Sequence, residues 1–74
     1  MSTRILKTLG MQRPRPLYEL DQLFKTLERG ERVEVHADAP GFSVDVLAWC
    51  RRTGNLLCDL RSEGEVVIVV IEKR

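Results

Sequence analysis

The sequence predicts a two-layer α/β sandwich in which two helices pack on one face of a four-stranded mixed sheet. Three observations support this fold class. The 74 residues suffice for one small core. The spacing of apolar residues switches between strand and helix periods in the order β-α-β-α-β-β. The last apolar run is too hydrophobic for a sheet edge, so it is placed in the middle. Because βαβ crossovers are right-handed, both helices lie on one side. We therefore expect a single domain over residues 1–74.

The first strand is predicted over residues 4–9, and the first helix begins at Pro16. Gly10 ends the strand. Pro16 fits the first helical position, where a missing N–H costs nothing. Arg15 precedes a proline and is therefore expected to be extended, just outside the helix. One helix face is apolar at three- and four-residue spacing: Leu17, Leu20, Leu23, Phe24 and Leu27. Gly30 is the predicted C-terminal cap.

The second strand is predicted over residues 31–37, because apolar and polar side chains alternate there. Asp38 is expected to cap the second helix by accepting backbone N–H bonds, with Pro40 in the first turn. Five residues share the apolar face of this helix: Phe42, Val46, Trp49, Cys50 and Thr53. Gly54 is the predicted cap at its end.

A hairpin is predicted to close the chain. Its first strand covers residues 56–61, with Leu56, Cys58 and Leu60 on one side, and its turn covers residues 62–64. Its second strand, residues 66–71, contains six consecutive apolar residues. The side of this strand that faces away from the helices is therefore apolar. It forms a dimer or partner surface, or long neighbouring side chains cover it. The sequence leaves both alternatives open, and the expected state is a monomer or weak homodimer.

Composition excludes several classes of function. The net charge of +1 gives no general case for nucleic-acid or membrane binding. No stretch approaches the ~18 apolar residues of a membrane span, and the N-terminus lacks the apolar segment of a signal peptide. The cytoplasm is therefore expected, with Cys50 and Cys58 as thiols. His36 has no second ligand at suitable spacing, so no metal or cofactor is predicted.

The entrance of the first helix is the predicted binding site. Arg13, Pro14, Arg15 and Pro16 form a short rigid segment beside the free N–H groups and positive dipole end of the helix. Such a segment suits an anion or a partner's carboxylate. The alternative is that both arginines are only solvated.

The order of elements and several motifs resemble the TusA/SirA family of small sulfur-carrier proteins, over residues 5–73. The matching residues are Leu6-x-x-Leu9-Gly10-x-x-x-Pro14-x-Pro16, Asp38-x-Pro40, Asp45-Val46, Trp49-Cys50 and Gly54. The resemblance implies a carrier that receives sulfur as a persulfide from a cysteine desulfurase or another carrier. It also implies that the sulfur is passed on, for example towards tRNA thiolation.

The sequence departs from the family at the residue that carries sulfur. Family members have Cys-Pro-x-Pro, and the cysteine position is occupied here by Arg13. A thiolate is the nucleophile in this chemistry, and a helix N-terminus lowers its pKa. Arginine cannot carry sulfur, so whether the chain is an enzyme stays open. Cys50 is the candidate for a displaced acceptor, although its helix face favours a core position. Cys58 is expected to be buried and inert.

Three functions follow. The resemblance implies a sulfur-relay protein with altered or impaired sulfur acceptance. The residues favour a relative that binds the family's partners without carrying sulfur. The third is an anion- or nucleic-acid-binding module that uses Arg4, Lys7, Arg13 and Arg15. It is the weakest because this basic segment has no aromatic residues for base stacking.

Overall fold

The computed structural model describes residues 3–74 as a four-stranded mixed sheet with two helices packed against it. The elements are β1 (Thr3–Lys7), α1 (Arg15–Phe24), β2 (Arg32–Ala37), α2 (Phe42–Thr53), β3 (Leu56–Glu63) and β4 (Val66–Glu72). The strand order is β1-β2-β4-β3. β1 runs parallel to β2, and β4 is antiparallel to both of its neighbours. The predicted fold class and the central place of the final strand are confirmed.

The core lies between the two central strands and the two helices. On β2, Val33, Val35 and Ala37 are fully buried, as their alternation predicts. They stand opposite Ile71, Val69 and Val67 of β4, so one sheet face carries a continuous aliphatic layer. The helices contribute the larger buried side chains: Leu20, Phe24, Phe42, Val46 and Trp49. Each such burial contributes roughly 1.5–3 kcal/mol.

The start of α1 differs from the prediction. The helix begins at Arg15, which is therefore helical rather than extended, and Pro16 occupies the second position. The carbonyl of Pro14, the N-cap, accepts a hydrogen bond from the Tyr18 N–H at 3.1 Å. The preference of a pre-proline residue for extended backbone is weaker than this first helical bond. Pro16 still loses no bond there, because the first turn has unpaired N–H groups in any case.

Gly30 does not cap α1, and that prediction is wrong. The helix ends at Phe24, with Lys25 as its C-cap in right-handed geometry. Gly30 lies five residues further on at φ +90°. Its N–H donates to the carbonyl of Lys73 at 2.8 Å, which connects the loop to the end of β4. Gly30 thus has the left-handed backbone that favours glycine, but it belongs to this long-range contact and not to a helix cap.

Asp38 does not cap α2 either. The helix begins at Phe42, with Gly41 as N-cap at φ +82° and no side-chain hydrogen bond at the cap. The carboxylate of Asp38 instead accepts the N–H of Gly10 at 2.9 Å. At the other end the prediction is confirmed. Gly54 adopts φ +76°, and its N–H donates to the Cys50 carbonyl.

Strand β3 is also oriented differently from the prediction. A bulge between Leu57 and Asp59 shifts the register, so Leu57 and Leu60 stand opposite the buried Ile71 and Val69. Cys58 is exposed, contrary to the expectation of a buried residue. The bulge breaks the simple alternation on which that expectation rested.

Neighbouring side chains cover the middle of β4 on the sheet face away from the helices. Ile68 of β4 stands between His36 and Arg61 and is only 5% exposed. Ion pairs between long side chains lie along the same face: Arg32–Glu72, His36–Glu34 and Arg61–Asp59. The structure therefore favours the covered alternative over an open apolar surface for this strand. Among residues 3–74, no helix is long and apolar enough to span a bilayer.

Candidate functional site

Arg13 forms a two-point ion pair with Asp45 in the first turn of α2. The Arg13 Nε lies 2.8 Å from one carboxylate oxygen, and a terminal guanidinium nitrogen donates to the other at 3.0 Å. The Arg13 side chain is 60% exposed and that of Asp45 is 22% exposed. The planar guanidinium fits both oxygens at once, which gives a defined orientation even near solvent. A paired cation therefore occupies position 13.

Gly41 lies directly under this guanidinium. A Cβ added at Gly41 would lie 3.1 Å from the Arg13 Nη1, and the residue has φ +82°. Both the close approach and the backbone conformation favour glycine. The side chain of Arg13 thus reaches from the entrance of α1 to the N-terminus of α2. Asp45 also suits that place because its charge complements the positive helix end.

The second arginine of the entrance is compensated as well. Arg15 Nε lies 3.9 Å from Glu19 Oε2, one turn further along α1. The predicted site residues 13–16 lie together at the start of α1. The guanidinium groups of Arg13 and Arg15 each lie beside a carboxylate, which offsets their positive charge. Arg4 and Lys7 lie exposed on the edge strand β1. The basic segment therefore has less uncompensated charge than its sequence indicates.

Asp45 and Asp38 are the two site residues whose contacts the sequence did not predict. Asp45 was noted only for the resemblance, and Asp38 was expected to cap a helix. Their partners, Arg13 and Gly10, lie 32 and 28 residues away in the chain. Local spacing carries no signal for such pairs. The available signal was the excess of basic residues before α1, which favours acidic partners from elsewhere in the fold.

The two cysteines are free and differ in environment. Cys50 is 6% exposed in the apolar face of α2. Burial raises the pKa of the Cys50 thiol, and the nearby Cys58 adds to the rise. Since the thiolate is the reactive form, a raised pKa makes Cys50 less nucleophilic at neutral pH. Cys58 is exposed on the outer strand β3, where a reagent has access to its sulfur.

Alkylation is expected to distinguish the two cysteines by the rate at which their thiols react. At neutral pH, iodoacetamide should modify Cys58 in the folded protein and leave Cys50 unmodified. Because the Cys50 pKa is raised, its labelling rate should increase only at higher pH than for an ordinary thiol. Peptide mapping after a timed quench measures both sites, and labelling in urea is the control for full access. Equal rates for both cysteines in the folded protein would contradict this assignment.

A groove of about 440 Å³ runs between α1 and α2 beside the entrance. Its lining residues are Pro14, Leu17, Tyr18, Asp21, Trp49 and Arg52. The Trp49 indole N–H donates to Asp21 at 3.1 Å, and its ring meets Phe24 edge-on at 5.0 Å between centroids. The sequence placed Trp49 in the core, where it is 2% exposed. The structure adds that the same residue lines a surface groove.

No metal centre is evident in the described part of the chain. His36 Nε2 lies 2.6 Å from Glu34 on the same strand. Residues 3–74 contain no group of three or more His, Cys, Asp or Glu side chains placed to hold a metal ion.

The comparisons with known proteins agree on one family. The model of the family "Sulfurtransferase TusA" matches residues 4–73. The Bacillus subtilis (strain 168) "Putative sulfur carrier protein YrkI" is 31% identical over 72 residues, which cover 97% of this chain and 96% of YrkI. "Putative sulfur carrier protein YrkF" of the same strain is 32% identical over 66 residues, 89% of this chain. A "Putative sulfur carrier protein" of Aquifex aeolicus (strain VF5) is 29% identical over 70 residues, 95% of this chain.

These relatives differ in length. The chain spans 36% of YrkF and 36% of the Aquifex protein, but nearly all of YrkI. The family model's match over residues 4–73 covers the whole sandwich, including the entrance of α1, the N-terminus of α2 and the groove between the helices. The chain belongs to the sulfurtransferase TusA family.

Proposed function

We propose that this chain is a sulfur-relay protein of the persulfide-carrier type that takes no sulfur at position 13 and instead binds the family's partner proteins. The observation that carries the proposal is the Arg13–Asp45 ion pair. An acceptor needs a sulfur nucleophile that attacks the outer sulfur of a donor persulfide. A guanidinium is protonated at any physiological pH and offers no such nucleophile.

The structure gives little support to Cys50 as a displaced acceptor. A donor persulfide needs access to the accepting sulfur, and Cys50 is 6% exposed. Burial also raises the pKa of its thiol, so less thiolate is present at neutral pH. Cys58 has the access that Cys50 lacks, but it lies on β3 rather than at the entrance of a helix. Both cysteines therefore enter the test as alternative acceptors.

Anion or nucleic-acid binding at the entrance is less favoured. Arg13 and Arg15 each lie beside a carboxylate, which offsets the charge that a phosphate would need. The partner we propose is a cysteine desulfurase or another sulfur carrier, and the compartment is the cytoplasm. A role near tRNA thiolation rests on the family resemblance.

The proposal is tested by intact mass spectrometry after incubation with a cysteine desulfurase and cysteine. We expect no gain of a sulfur atom by this chain, whereas a family member with Cys-Pro-x-Pro gains one and serves as the positive control. A gain would contradict the proposal. Its loss in Cys50→Ala or in Cys58→Ala would then identify the acceptor.

The second part of the proposal, that this chain binds the family's partner proteins, is tested separately by light scattering coupled to size-exclusion chromatography. We expect this chain to form a complex with at least one cysteine desulfurase or sulfur carrier. If the chain is folded and binds none of a panel of such proteins, this part of the proposal is contradicted.

A further inference from the structure

The groove between α1 and α2 is a second surface that the Arg13 position does not explain. We infer that it binds an acidic segment of a partner protein, in which apolar side chains are flanked by carboxylates. The inference deepens the proposed function, on which it rests, by naming the surface and the chemistry of the segment that docks there. Three properties of the groove support it: its shape, its charge and the rigidity of its base.

The groove is sized for one or two apolar side chains. Its volume of about 440 Å³ lies within the roughly 300–1,000 Å³ typical of binding clefts. Pro14 and Leu17 supply apolar walls, and Tyr18 is 59% exposed beside them. An exposed tyrosine next to apolar walls offers contact area at small entropic cost, which is why this residue is enriched in interfaces.

The base of the groove is rigid. Trp49 is 2% exposed, contacts Phe24 edge-on and donates its indole N–H to Asp21. These contacts fix the ring in one orientation in the unbound protein. A preformed base lowers the ordering cost of association, which favours binding of even a short segment.

The charge of the groove favours an acidic segment. Arg52 lines one side, is exposed and forms no ion pair within residues 3–74. Pro14 and Leu17 place the start of α1 along the groove as well, and this helix has neither a side-chain cap nor an acidic residue in its first turn. The Arg15 N–H there donates to the Gln12 carbonyl at 2.9 Å and Pro16 has no N–H, so the partial positive charge is that of the helix dipole. A segment with carboxylates beside an apolar centre therefore meets positive potential at Arg52 and at the start of α1.

Asp21 is the one acid that lines the groove. Its carboxylate already accepts the Trp49 indole N–H at 3.1 Å, and Lys25 Nζ lies 3.8 Å from it. This compensation reduces its repulsion of an incoming carboxylate. Because Arg52 has no such partner, the uncompensated charge at the groove is positive.

The test is a titration of the ¹⁵N-labelled protein with two synthetic peptides, followed by NMR. The probes are acetyl-Glu-Leu-Phe-Glu-amide and its counterpart with lysine in place of both glutamates. Trp49 is the only tryptophan of the chain, so its indole N–H is an unambiguous reporter at the base of the groove. We expect the acidic peptide to shift this signal and the amides of Leu17, Tyr18 and Arg52. Its affinity should exceed that of the lysine peptide by about tenfold or more.

A matched pair of variants controls for general charge effects. Arg52→Glu should weaken binding of the acidic peptide by about tenfold or more, because it replaces a charge-assisted contact with repulsion between like charges. Arg51→Glu makes the same charge change at the adjacent exposed residue of α2, which does not line the groove, and should leave the affinity nearly unchanged. The amide spectrum of each variant shows that it is folded.

Several outcomes would overturn the inference. They are no shift with either peptide, equal affinity for both peptides, shifts confined to another surface, or equal losses in the two variants. The titration contains no desulfurase and no sulfur donor. A negative titration would therefore not contradict the proposal that position 13 takes no sulfur. Conversely, sulfur loading of the unmodified chain would not contradict binding of the acidic peptide.

Discussion

Arg13→Cys is expected to convert this chain into a sulfur acceptor. The new thiol would precede Pro14 at the start of α1, where the positive end of the helix dipole lowers the pKa of a nearby thiol. Its thiolate would attack the outer sulfur of the donor persulfide. The donor S–S bond breaks, and the electron pair stays on the donor cysteine as a thiolate. Intact mass should rise by one sulfur atom, and a reducing thiol should remove that mass.

The fold should survive this substitution. The Arg13–Asp45 pair is more than half exposed on the arginine side, and exposed pairs contribute only about 0–1 kcal/mol to stability. Arg13→Ser is the matched control, because it removes the same ion pair and introduces a side chain of similar size without sulfur. A folded Arg13→Cys variant that stays unloaded with several desulfurases would show that the replaced residue is not what prevents acceptance.

Trp49→Ala is expected to cause the largest loss of stability in the chain. The indole is almost fully buried, packs edge-on against Phe24 and donates to Asp21. Truncation of a buried aromatic costs about 3–5 kcal/mol through lost transfer free energy and the cavity left behind. Small domains have only about 5–15 kcal/mol of total stability, so this variant should be partly unfolded at 37 °C. Urea unfolding followed by circular dichroism measures the change in the free energy of unfolding.

Trp49→Phe is the control that separates the ring from its hydrogen bond. It keeps an aromatic side chain against Phe24 but removes the donor to Asp21, and it should cost less than Trp49→Ala. A loss below about 1 kcal/mol for Trp49→Ala would contradict the assigned place of this residue in the core.

Hydrophobic periodicity was sufficient to predict both helices and all four strands. Alternation identified the buried side of β2, and the four-residue spacing identified the inner face of α2. The central place of β4 followed from a run of apolar residues that no edge strand tolerates. These features depend on side chains within a few positions of each other, so they can be recognised in the sequence.

The errors at the element ends have a common physical origin. Gly30 and Asp38 were assigned local capping roles, but each bonds a residue from a distant part of the chain. Cys58 was expected to be buried because strands alternate, and a bulge at that point interrupts the alternation. Capping groups, glycines and bulges have several possible partners, and only the packed chain selects one of them.

The features of the candidate site also fall into two groups, those that the sequence predicted and those that only the folded chain shows. The sequence by itself determined the fold class, the family resemblance and the absence of a sulfur nucleophile at position 13, because each depends on residue identity and local order. Only the tertiary structure decided that Arg13 is paired with Asp45, that Cys58 rather than Cys50 is the exposed thiol, and that Trp49 closes a groove beside Arg52. Those features join residues from different elements, and their contacts exist only once the helices have packed on the sheet.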